Sequence, residues 1–163
     1  MAYFVARHRT AQVQDGRRND QFGTEPWFTD GTAAGTRRII DINIGPSSSA
    51  GFGTPILSNG SWFFAAQDQF QQIWTTDGSS ASIVSEPGAR TWDLLGAHQG
   101  RVYYTAPDSD AGADRLQSTD ASGNVLDIAT LPAPLGAGAS CFASTSFGAF
   151  FTASESHLKE SHT

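Results

Sequence analysis

Trp27-Phe28-Thr29-Asp30-Gly31-Thr32 recurs as Trp74-Thr75-Thr76-Asp77-Gly78-Ser79, and more weakly as Gln117-Ser118-Thr119-Asp120-Ala121-Ser122. The three aspartates stand 47 and 43 residues apart. An aromatic pair followed by small residues keeps a similar step: Tyr3-Phe4-Val5-Ala6, Phe63-Phe64-Ala65-Ala66, Tyr103-Tyr104-Thr105-Ala106 and Phe150-Phe151-Thr152-Ala153. The first interval is longer, and insertions around Gly16–Gly23 and Pro46–Gly53 account for it. Self-similarity at a fixed period means an array of like units, each too small to bury its apolar face alone.

Two further elements complete each unit. After the Asp-Gly turn come Arg37-Arg38-Ile39-Ile40-Asp41-Ile42, Ala81-Ser82-Ile83-Val84 and Asn124-Val125-Leu126-Asp127-Ile128. Before each aromatic pair come Pro55-Ile56-Leu57, Leu94-Leu95 and Cys141-Phe142, closed by Asn59-Gly60, Gln99-Gly100 and Phe147-Gly148. Asn-Gly between apolar runs is a hairpin signal, because both central residues need positive φ. Composition agrees: 17 Gly, 18 Ser, 15 Thr and 12 Asp against 4 Glu and one lysine favour turns over helices. No stretch sustains a 3.6-residue apolar period. The expectation is an all-β chain of four-stranded antiparallel units of about 45 residues, the size of a propeller blade. Units run roughly 1–45, 52–88, 92–131 and 138–154, followed by a polar tail at 155–163.

Glu25-Pro26-Trp27-Phe28-Thr29-Asp30-Gly31-Thr32-Ala33-Ala34-Gly35-Thr36, closing on Asp41-Ile42, resembles the bacterial ELWxxDGT repeat, with Pro26 in place of Leu. The second unit has Gln72-Ile73-Trp74 where that repeat has Glu-Leu-Trp. The third has Arg115-Leu116-Gln117 and lacks both the Trp and, at Ala121, the Gly. The resemblance implies propeller-like folds in large secreted or surface-associated proteins, and it implies no chemistry. An extracellular or cell-envelope setting follows as an expectation, as does the alternative that the chain is a fragment of a longer secreted repeat protein.

The balance of 10 basic and 16 acidic residues, net charge −6, argues against a nucleic-acid partner. Residues 1–38 carry six arginines against four carboxylates, so the rest of the chain is at −8. Arg17-Arg18 reads as part of a solvated loop. The apolar run Trp62–Ala66 is too short for a transmembrane segment. The first residues reach Arg7 before the apolar core of a signal peptide can form. Cys141, the single cysteine, excludes an internal disulfide and reads as a small hydrophobe in a strand.

Candidate sites are few. In the repeated motif, Asp caps its own turn and Trp wedges between units, with a partner expected for its N–H. Trp62 and Trp92 stand outside that pattern and are candidates for exposed ligand contact, with glycans as the class. Asp108, Asp110 and Asp114 place oxygen ligands at alternating positions around Gly112, a spacing that can wrap calcium, within the loop before the third Trp-equivalent strand. His8, His98, His157 and His162 fall in predicted loops or the tail, and no catalytic set or other cofactor emerges. Counting strands gives three, four, four and two, about three and a half blades and thus an incomplete ring. The open edges are expected to associate with copies of the chain or with a partner protein that completes the array. The expectation is therefore a non-enzymatic structural or protein-interaction module, with a surface glycan- or calcium-binding module as the alternative.

Overall fold

The computed structural model describes residues 2–7, 13–14, 17–18, 23–91, 93–108, 114–131 and 140–152. Among them there is no helix, and the strands form several antiparallel sheets. β1 (Ala2–Arg7), β4 (Thr24–Thr29) and β5 (Arg37–Arg38) make a three-stranded sheet in that order. Between its first two strands lies a small hairpin, β2 (Val13–Gln14) and β3 (Arg17–Arg18). Arg17-Arg18 is thus in a two-residue ladder with Val13 and Gln14, where the sequence reads as loop.

The second and third sheets are four-stranded meanders. β6 (Ala50–Ser58), β7 (Ser61–Gln67), β8 (Gln71–Thr76) and β9 (Ala81–Ile83) pair in chain order. So do β10 (Leu94–His98), β11 (Arg101–Pro107), β12 (Asp114–Thr119) and β13 (Leu126–Leu131). β14 (Ser140–Ser144) and β15 (Ala149–Thr152) form a two-stranded sheet. Among the described residues the sheets form neither a closed barrel nor a closed propeller.

Local chemistry explains the strand joints. The β6–β7 and β10–β11 turns hold Asn59 and Gln99 at φ 48° and 50°, each followed by a glycine with positive φ. That backbone matches the twist of the flanking strands. Residues 50–53, read from sequence as insertion, are the start of β6; two register shifts, between Ala50 and Phe52 and between Phe52 and Ile56, absorb the extra residues as an irregularity in the ladder.

The core lies between the sheets. Trp74, Phe64 and Ala66 of the second sheet pack with Ile42 and Ile40, which follow the first. Phe63, Ala65 and Ile73 of the second sheet meet Val102, Tyr104 and Ala106 of the third. Leu116 and Leu131 of the third gather with Tyr103 and with Phe151 of the fourth. Phe63, Ile73, Val102 and Tyr104 have no exposed surface, and each such side chain contributes about 1.5–3 kcal/mol through its burial.

The aromatic pairs divide their labour by strand alternation. Phe64 and Tyr104 face the preceding sheet, whereas Phe63 and Tyr103 face the following one.

Candidate functional site

The Asp-Gly turns are fully used by their own backbone. Asp30 Oδ1 accepts from the Thr32 N–H at 2.9 Å and from its hydroxyl at 2.8 Å. Asp77 Oδ1 accepts from the Ser79 hydroxyl at 2.6 Å and from the Ser79 and Ser80 N–H groups at 2.8 and 3.3 Å. Asp120 binds the Ser122 and Asn124 N–H groups and the Asn124 amide. These donors stabilise the carboxylates: Thr32 holds Asp30 below its usual range, Ser79 holds Asp77 at about 2, and Asn124 holds Asp120 down. In the third turn, where Ala121 replaces the glycine, the Gly123 N–H bonds the Asp120 carbonyl at 3.1 Å and the positive φ moves to Gly123.

Glu25, on β4, is fully buried. Its Oε2 accepts from the Ile42 N–H at 3.0 Å and the Ser49 hydroxyl at 2.5 Å, so one carboxyl group ties down both ends of the 42–49 connection into β6. Its Oε1 is buried without a hydrogen bond. Desolvation raises the Glu25 pKa against the pull of Ser49 and Ile42, and nearby Asp41, itself ion-paired with Arg38 at 3.3 Å, adds to the rise. In the register of the second sheet Gln72 takes the corresponding place on β8, also buried.

The residues singled out from sequence are scattered. Trp62 is half-buried on β7, opposite Leu57 and Thr76, and Trp92 lies outside the described residues. Asp108 is half-buried just after β11 and Asp114 is buried on β12, opposite Pro107 and Leu131; Asp110 lies outside the described residues. Asp114 thus belongs to the ladder rather than to the loop in which the sequence puts it. Among the described residues no three His, Cys, Asp or Glu side chains gather as a metal cluster would require. His98 ends β10 instead of lying in a loop, and its Nδ1 shares a 2.9 Å hydrogen bond with the Ser144 hydroxyl. His8, His157 and His162 lie outside the described residues. Cys141 is on β14. Trp74 has the expected wedge position, but its indole N–H is buried without an acceptor, so packing of the ring overrode satisfaction of its one donor.

An exposed apolar feature lies in the fourth sheet. Phe151 points into the cluster with Leu116 and Leu131, and its neighbour Phe150 points the other way, 66% exposed. Phe63, in the same place on the second sheet, is 0% exposed because the third sheet covers it. Phe147, at 91% exposure in the turn before β15, extends the apolar surface. Among the described residues β15 is hydrogen-bonded to β14 alone, whereas β7 and β11 pair along both edges. Compared with family models, curated proteins and solved structures, the chain matches none.

Proposed function

We propose that the chain is a non-enzymatic interaction module of stacked, blade-like sheets, and that it associates through the uncovered face and edge of β14–β15. The observation that carries the reading is the contrast between Phe150 and Phe63: the same strand position is open on the last sheet and covered on the second. A two-stranded sheet with a large apolar side chain on its outer face is marginal in water, and an apolar face beside an unpaired edge is a surface for association. The occupant is another sheet, supplied by a copy of the chain or by a partner protein. The ELWxxDGT-like motifs, the meander order of the two complete sheets and the cores between successive sheets support the blade-like description. On this reading the Asp-Gly turns are punctuation and the module works by surface, without a cofactor.

Light scattering of the purified chain tests this directly. Concentration-dependent association is expected, and Phe150→Arg is expected to abolish it with an unchanged far-UV circular dichroism spectrum. A parent chain that stays monomeric, with neither self-association nor a reproducible partner sensitive to Phe150→Arg, overturns the proposal.

A further inference from the structure

The junction between the second and third sheets contains an open groove of about 500 Å³, within the range of small-molecule sites. Its origin is visible by comparison with the junction before it. On β8, Trp74 lies opposite Phe64 and Ile83, and its indole is covered by Ile40, Ile42 and Ala81. On β12 the matching position, opposite Tyr104 and Asp127, belongs to Gln117. Counting from those register pairs, Ser85 stands where Ile40 stands, Pro87 where Ile42 stands, and Val125 where Ala81 stands. All four, Gln117, Ser85, Pro87 and Val125, line the groove. The groove thus borders the place that an indole fills one junction earlier, with Gln117 and Ser85, themselves almost wholly covered, at its base.

The groove is braced open. Close packing ordinarily collapses such a gap, but the Gln117 amide is drawn aside to Asp127 Oδ1 at 2.7 Å. The Thr119 hydroxyl donates to the Val84 carbonyl at 2.6 Å and fixes the distance between the two walls. Arg115 spans the rim, 3.4 Å from Asp127 and 3.9 Å from Glu86. Two carboxylates, 62% and 54% exposed, therefore share one guanidinium and leave a net negative rim beside the groove.

We infer that this groove binds a small arylalkylamine: a flat aromatic ring enters the slot that Trp74 fills one junction earlier, and its ammonium group meets Glu86 and Asp127. The ring replaces lost packing surface, and the ammonium adds charge-assisted hydrogen bonds where the rim has acceptors to spare.

Calorimetric titration with tryptamine, and with tryptophol as its uncharged counterpart, tests the site. The titration uses the Phe150→Arg chain as well as the parent, so that binding is read independently of association. Saturable tryptamine binding is expected, with tryptophol weaker. Asp127→Asn is expected to weaken tryptamine about fivefold and leave tryptophol unchanged. Gln117→Trp fills the slot from within and is expected to abolish binding of both. Should that variant fail to fold, Val125→Phe fills the same slot from the edge strand β13 approaches. Absence of saturable tryptamine binding, equal binding of tryptophol, or undiminished binding by a folded slot-filling variant overturns the inference.

Discussion

The ring of Phe28 lies so close to Gly78 that a Cβ at residue 78 would stand 2.6 Å from Phe28 Cε2. Arg37 completes the joint: its guanidinium stacks 5.0 Å from the Phe28 ring centre and donates to the Gly78 carbonyl at 2.5 Å. The turn of one sheet is thus docked on the strand of the sheet before it, through a glycine that could otherwise be taken for local punctuation.

This separates two glycines that look alike in sequence. Gly31 and Gly78 share φ values of 95° and 94°, but a Cβ at Gly31 meets open space. Gly31→Ala should cost about 1 kcal/mol, from the left-handed backbone alone. Gly78→Ala carries the same strain plus a clash of about 1–3 kcal/mol. Urea unfolding of the two variants should rank them in that order; equal losses would mean that Phe28 does not press on Gly78 in solution.

Glu25 makes stability fall as pH rises. Its folded-state pKa is raised above the ordinary 4.5, so its contribution is fully present below that value and is lost as pH climbs through the folded pKa. Glu25→Gln keeps an oxygen for Ile42 and Ser49 and removes the titration. The stability of the variant relative to the parent should therefore improve steadily from pH 4.5 upward in thermal melts. A difference that is flat with pH would show that burial does not shift this carboxyl group.

Asp77 acts in the opposite sense and at lower pH. Held at about 2 by Ser79 and Ser80, it contributes stability that is present above the ordinary 3.8 and disappears as pH falls toward 2. Asp77→Asn should flatten the acid limb of the stability curve in that window while leaving the neutral limb near Glu25's titration unaltered. A variant curve parallel to the parent's between pH 4 and 2 would contradict the turn geometry.

Tyr104 fills the centre of the second core, and its hydroxyl is buried without a hydrogen-bond partner, its pKa pushed up chiefly by burial. Tyr104→Phe keeps the ring and removes the unpaired group, and is expected to raise stability by about 1 kcal/mol. A loss of similar size in urea unfolding would reveal a hydrogen bond that the hydroxyl makes in solution.

How much of this was legible in the sequence depends on the range of the forces involved. The strands, the Asn59-Gly60 hairpin and the Asp30 and Asp77 turns follow from neighbours within a few residues. All of these are stated by the order of the amino acids. The short ladder at Arg17-Arg18 and the β6 start at Ala50 were misread because pairing, not local polarity, placed those residues in strands. The exposed Phe150 and the covered Phe63 each open a Phe-Phe pair followed by small residues. What differs is whether another sheet lies on that face.

By itself the sequence determined an all-β chain with strands and turns at a nearly regular step, since backbone preference and side-chain alternation act locally. Only the tertiary structure decided which of those like positions became core, groove or open surface. Trp74 is covered by Ile40 and Ile42, Gln117 lies buried at the base of a groove, and Glu25 is sealed under Ser49 because residues remote along the chain come to lie across each sheet. Burial and desolvation are properties of those facing surfaces, and no single strand carries them alone.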